Sequence, residues 1–205
     1  EIRDSSGISI STQTSISLGQ DQGFYFHDLS IVSLNENKIF IIWNTGDFHF
    51  IVFDSIGNII IPDTSLPDYY LSNVDLLELS NGNVLVGGDS GGEIQFFILD
   101  GINFELIIPL TELSNSINPG NNAEVSLTRD KDGYAVFTWM EMAAEMKKNL
   151  YYALINDYGE ILTPPIAFLS TTREIHTSRT GCGNTTNSSF GNDEMSAIFL
   201  PIIIR

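Results

Sequence analysis

Four times along this chain an acidic turn closes one apolar run and opens another: Asp4-Ser5-Ser6-Gly7, Asp54-Ser55-Ile56-Gly57, Asp100-Gly101 and Asp157-Tyr158-Gly159. Successive Asp positions lie 50, 46 and 57 residues apart, and the sequence between them repeats as well. Self-similarity at that period means one supersecondary unit copied along the chain, with room for about four short strands in each copy. Architecture is therefore the first thing this sequence constrains.

Aligned on their turns, the copies share four segments. The first is a short alternating run ending in leucine, at Leu34, Leu79 and Leu127. A polar turn follows: Asn35-Glu36-Asn37, Asn81-Gly82 and Asp130-Lys131-Asp132-Gly133. Asn-Gly and Asp-Gly accept the positive φ of a tight hairpin. The second segment is Ile39-Phe-Ile-Ile-Trp43, Val84-Leu-Val-Gly-Gly88 and Ala135-Val-Phe-Thr-Trp139. The third is Phe48-His-Phe-Ile-Val-Phe53, Glu93-Ile-Gln-Phe-Phe-Ile-Leu99 and Leu150-Tyr-Tyr-Ala-Leu-Ile155. The fourth follows the acidic turn and is expected to stop near Pro62, Pro109 and Pro164, because proline cannot donate to a ladder and belongs on an edge.

Four antiparallel strands per unit, repeated, predict an all-β fold of four-stranded blades, β-propeller-like and part of a larger propeller. The outline of Asn-Gly, Val, Trp, then Asp-x-x-Gly and Pro resembles that of secreted bacterial repeat propellers over residues 1–168. The resemblance implies an architecture and names no enzyme. Residues 1–18 read as the outer end of a preceding blade and 19–168 as three blades. Residues 169–197 read as a polar linker or loop, and 198–205 as an apolar C-terminal strand. A β-sandwich of the same strands is the structural alternative. The end Ala197-Ile-Phe-Leu-Pro-Ile-Ile-Ile-Arg205 resembles a terminal Leu-Pro-aliphatic motif of some bacterial secreted proteins, which implies that the missing part is N-terminal. Residues 198–204 are expected to pair with a sheet edge, this chain's own or a neighbour's.

Composition narrows the partners. Of 205 residues, 26 are acidic and 9 basic, a formal charge of −17. Such a field repels phosphate backbones, so nucleic acid is excluded as a partner, and anionic membranes are disfavoured. No apolar run reaches the ~18 residues of a membrane span. With so few charges overall, the polar surface is built largely from Ser, Thr, Asn and Gly, which suits an extracellular or cell-surface protein.

The residues that could carry chemistry read mostly as structure. Asp130 and Asp132 alternate as in a calcium loop but lack a closing Glu. The stretch from Thr128 to Trp139 fails the spacing of a sialidase-type Asp box, so a plain hairpin turn is expected. Asp4, Asp54, Asp100 and Asp157 should accept hydrogen bonds from their own turns rather than bind a cation. His27, His49 and His176 share no ligand spacing. Cys182 has no base beside it to activate a thiolate. Asn184 and Asn187 head glycosylation-type triplets in a stretch that produces them by chance. Met140, Met142 and Met146 lie in the one helix-like piece, an insertion between segments two and three of the last blade.

These readings assign no catalytic, cofactor-binding or metal site and no cofactor. They lead to the expectation of a non-enzymatic repeat protein for interaction or structural assembly, with a protein partner or self-assembly. The alternative is a carbohydrate-binding or carbohydrate-active propeller. An enzyme of that kind needs paired carboxylates from different blades facing the channel, for which Glu78 and Glu124 are the candidates. Aligned on Leu79 and Leu127, the two do not coincide.

Overall fold

The computed structural model describes residue 6 and residues 27–67, 69–114, 124–142 and 148–171. Twelve strands form three four-stranded antiparallel sheets, ordered β1-β2-β3-β4, β5-β6-β7-β8 and β12-β11-β10-β9. The first blade holds β1 (His27–Leu34), β2 (Lys38–Asn44), β3 (Phe48–Asp54) and β4 (Ile59–Leu66). The second holds β5 (Ser72–Glu78), β6 (Val84–Ser90), β7 (Glu93–Leu99) and β8 (Leu106–Ser114). The third holds β9 (Val125–Arg129), β10 (Ala135–Met142), β11 (Lys148–Ile155) and β12 (Ile161–Thr171). The fold is all-β and propeller-like, as the repeat predicts. The inner strands β1, β5 and β9 are neighbours across the blades, with β4, β8 and β12 outermost.

Each blade packs by alternation. On β2, Phe40 and Ile42 face the second blade, where they meet Leu76, Val84, Val86, Phe97 and Leu99. On the opposite face of the second blade, Leu85, Phe96 and Ile98 pack against Leu127, Ala135, Phe137, Trp139 and Ile155 of the third. Phe40 stacks on Phe50 with ring centroids 5.4 Å apart, and Phe96 tilts against Phe137 at 5.9 Å. Fully burying an aliphatic or phenylalanine side chain contributes roughly 1.5–3 kcal/mol, so these two layers dominate the cohesion of the blades. Trp43 and Trp139, 2 % and 1 % exposed, are core residues and no surface platform.

The hairpin turns form as expected. Gly82 and Gly133 take φ of +87° and +92°, and in the first blade Glu36 and Asn37 take the left-handed conformation at φ 60° without glycine. Three expectations need correction. The outer strands do not stop at their prolines. Each runs on through a register shift, so that Pro62, Pro109 and Pro164–Pro165 sit where the ladder skips. A bulge on an edge strand removes the position that would have needed an N–H. Thr64 and Thr111 hydroxyls then donate to the carbonyls of Pro62 and Pro109, at 2.9 and 2.7 Å.

The helix-like piece is also corrected in part. Met140–Met142 belong to β10, because pairing with β11 overrides local helix propensity; residues 143–147 lie outside the described residues. Strand β12 continues to Thr171, beyond the boundary expected at 168. Asp4, His176, Cys182, Asn184, Asn187, residues 1–18 other than Ser6 and the apolar end 198–205 fall outside the described residues.

Gly87 and Gly88 explain why the second blade lacks the tryptophan of its neighbours. A Cβ on Gly87 would lie 2.5 Å from a ring carbon of Phe137, and one on Gly88 would lie 2.9 Å from the Leu71 Cβ. The space a side chain would need is taken by the third blade at Gly87 and by the entry to β5 at Gly88. Gly87→Val should therefore destabilise the fold by about 1–3 kcal/mol through overpacking, read from a urea transition. An unchanged midpoint would show that the inter-blade layer yields.

Candidate functional site

The inner strands begin at one end of the blades, and the acidic turns lie at the other. The hairpin turns give the register of the third blade. Leu34 pairs with Lys38, Leu79 N–H donates to the Asn83 carbonyl, and Asp130 N–H donates to that of Tyr134. The structural equivalent of Leu34 and Leu79 is thus Asp130, and Leu127 corresponds to Leu76. Counting back six residues from each turn lands on Asp28, Asn73 and Glu124. One position of the repeat therefore carries a carboxylate, an amide and a carboxylate in successive blades.

Those three residues line a single open cleft of about 340 Å³, together with Leu29, Val74, Asp75 and Val125. The next position of the repeat supplies Leu29, Val74 and Val125, so the floor of the cleft is itself a threefold echo of the blade. Glu78, the other candidate, is elsewhere. Its Oε1 accepts the Asn35 N–H of the first blade at 2.7 Å, and Arg129 donates to its backbone carbonyl. Glu78 is a strut between blades. The pairing of Glu78 with Glu124 is therefore corrected: Glu124 joins Asp28 and Asp75 instead.

Hydrogen bonds between blades set the cleft's shape. Asp28 Oδ1 accepts the Asn73 N–H at 2.9 Å, tying the first inner strand to the second. Asp75 Oδ2 accepts the Leu127 N–H at 2.7 Å, tying the second to the third, while its Oδ1 accepts the Leu76 N–H at 2.9 Å. Behind them, buried Asn44 donates to the Leu71 carbonyl at 3.1 Å and fixes the approach to β5. Asp28 and Asn73 share left-handed backbone, φ 58° and 52°, a conformation that Asp and Asn tolerate better than most residues. Glu124 is exposed and makes no hydrogen bond to another described residue.

The acidic turns have a different job. Asp54 Oδ1 accepts the N–H groups of Ile56 and Asn58 at 3.0 and 2.8 Å, and Asp100 Oδ1 those of Ile102 and Asn103 at 2.8 and 3.0 Å. Asp130 does the same for Asp132 and Tyr134, each at 2.9 Å, so that loop is a hairpin turn. In the third blade the reading of Asp157 is corrected. Asn156 accepts from Tyr158 and Glu160, while Asp157 reaches across to the Ser80 N–H at 3.1 Å. Gly57 and Gly159 take φ of +91° and +78°, which relieves these turns as expected.

His49 stacks on Trp43, and its Nδ1 lies 2.8 Å from Asp63 Oδ1, so it bridges β3 to the edge strand. Among the described residues, no three His, Cys, Asp or Glu side chains are grouped to hold a metal ion. No described helix is long and apolar enough to cross a membrane.

No protein-family model matches this chain, and no curated protein does. Several solved structures are similar, two of which illustrate the likeness. One is a thermostable family-43 glycoside hydrolase, 10 % identical at a TM-score of 0.45, covering 73 % of this chain. The other is the endo-arabinase from Bacteroides thetaiotaomicron VPI-5482, 17 % identical at a TM-score of 0.45, covering 72 % of this chain. The matched region spans 54 % and 63 % of those chains. Both of those proteins are enzymes, where a non-enzymatic chain is expected from the sequence, and at this similarity the likeness extends to the fold and assigns this chain no activity. The likeness is one of architecture, and no residue takes a role from it.

The turn carboxylates have a pH consequence. Asp54 feels some desolvation, which works upwards. The bonds from the Asn58 side chain and from the Asn58, Ile56 and Gly57 backbones outweigh it and hold the carboxyl below its usual 3.8. Backbone bonds from Asn103 and Ile102 hold Asp100 below 3.8 as well. A depressed folded value means that the ionised form supports the fold. The support is complete above 3.8 and is lost as pH falls through the lower folded values. Asp54→Asn with Asp100→Asn should therefore lower the melting temperature at neutral pH. The gap from the parent should close as pH drops below 3.8, and a gap independent of pH would refute the assignment.

Proposed function

We propose that this chain is part of a carbohydrate-active propeller, with the saccharide seated in the cleft where β1, β5 and β9 begin. One observation carries the reading: Asp28, Asp75 and Glu124, from three successive blades, line one cleft with Asn73 among them. Ionised carboxylates only accept hydrogen bonds, so they suit a ligand rich in hydroxyl donors. Leu29, Val74 and Val125 offer apolar surface to the C–H faces of a sugar ring. The described lining holds no Lys or Arg, and with a formal charge of −17 a phosphorylated ligand is disfavoured. A volume of about 340 Å³ lies at the small end of ligand clefts.

Hydrolysis of a glycosidic bond uses two carboxyl groups, one to protonate the leaving oxygen and one as base or nucleophile. In this proposal Asp28 and Asp75 are the fixed carboxylates, each aimed by the backbone amide it holds, and one of them takes a proton from the water that bonds to the anomeric carbon as the glycosidic bond breaks. Glu124, free of such a tether to the described residues, carries the proton to the leaving oxygen. The blades of residues 19–168 form the carbohydrate-handling unit. An extracellular or cell-surface setting accords with the polar, hydroxyl-rich composition and with a polymeric substrate.

Reducing-end release and calorimetry on a panel of neutral oligosaccharides test the reading. Glu124→Gln should cut hydrolysis by about 100-fold or more, the usual contribution of a general acid, with binding preserved within a few-fold. Absence of both binding and release in the parent protein would overturn the proposal.

A further inference from the structure

Every side chain in the described lining of the cleft is either apolar or acidic, except one. Asn73 alone offers an N–H donor, against Asp28, Asp75 and Glu124. It occupies the repeat position at which the neighbouring blades carry carboxylates. The fold tolerates a carboxylate there: Asp28 holds φ 58° where Asn73 holds 52°, and the backbone N–H of Asn73 is already committed to Asp28. Local backbone geometry therefore does not require an amide in the middle blade. Its distinguishing property is the side-chain donor and the absence of a third charge at this position.

We propose that Asn73 is the specificity-determining residue of the cleft. It selects a neutral saccharide that presents several hydroxyl donors to the carboxylates and one acceptor oxygen, from a ring, a hydroxyl or a glycosidic link, to the Asn73 amide. This inference rests on the carbohydrate reading and adds the class of saccharide. A uronic acid residue brings a carboxylate beside the two fixed carboxylates Asp28 and Asp75, so it is rejected by like-charge repulsion. Discrimination of this kind is steep, because a buried or half-buried polar group left without its partner costs more than the bond itself contributes.

The test is calorimetry with three probes: a neutral pentose hexasaccharide, a neutral hexose hexasaccharide and a galacturonate hexasaccharide. The parent protein should bind at least one neutral probe and bind galacturonate at least about ten-fold more weakly. Asn73→Asp replaces the donor with an acceptor while keeping shape and φ. It should weaken the neutral probe by about ten-fold or more, with the circular-dichroism melting curve unchanged. If that variant does not fold, Asn73→Gly takes the same φ, deletes the donor and should show the same loss. A parent that binds none of the probes sinks the carbohydrate reading itself. A parent that binds galacturonate as tightly as the neutral probes overturns the specificity inference and leaves that reading standing. Retention of neutral-saccharide affinity in a folded Asn73 variant does the same.

Discussion

Each four-stranded sheet here is apolar on more than one face, so none can stand alone in water. The second blade shows the constraint most fully: Val84 and Val86 point one way into the first blade, and Leu85 points the other way into the third. A sheet buried on both faces must have a neighbour on each side, which turns a local repeat into a stack with a common axis. Once the stack exists, the inner strands of successive blades lie side by side, and any residue at the start of one strand meets its equivalents in the next. The cleft is a consequence of that geometry. Packing supplies the scaffold, and the repeat position supplies the convergence.

Packing alone leaves the blades free to slide, because apolar layers are weakly directional. The polar bonds between blades remove that freedom at both ends. At the turn end, Ser80 donates its N–H to Asp157 and its hydroxyl to the Gly133 carbonyl, and Asn35 donates to Glu78. At the cleft end, Asp28 and Asp75 each receive a backbone amide from the following inner strand. The cleft carboxylates Asp28 and Asp75 thus hold the inner strands together. An acceptor aimed by a backbone N–H loses little orientational freedom when a ligand arrives, which is the arrangement that positioned catalytic groups require.

Much of this architecture was legible because turn chemistry and alternation act locally. Asn81-Gly82 and Asp130 to Gly133 mark hairpins through backbone conformations that few other residues accept, and the four segments fall on the four strands of every blade. The failures have a common physical origin in interactions between distant segments. Leu127 aligns by eye with Leu79, yet the hairpin hydrogen bonds make Asp130 the equivalent residue. That three-residue slip hid the coincidence of Asp28, Asn73 and Glu124. Counting from the turn instead of from the leucine would have revealed it. Asp157 resembles the other turn aspartates in sequence, but its partner is Ser80 in another blade. Its neighbour Asn156 takes the local role, since Asn and Asp side chains serve such turns equally well. Proline marks a strand end by local rules alone, because the bulge that accommodates it depends on the edge position of the outer strand.

The same slip bears on how a degenerate repeat can hold a site at all. Residues that define the blade, such as Phe40, Leu85 and Phe137, are constrained by packing on two sheets and vary only within apolar types. The first residues of the inner strands face the cleft, where packing asks little of them and backbone conformation asks only for a residue that accepts its φ. Asp28 and Asn73 both accept a left-handed φ, so backbone conformation allows either an acid or an amide there. A repeat whose axial position is variable turns near-symmetry into an asymmetric lining of the cleft. Three nearly equivalent strands place two carboxylates and one amide at one repeat position around the cleft. The polar lining of the cleft then differs where one blade departs from the others.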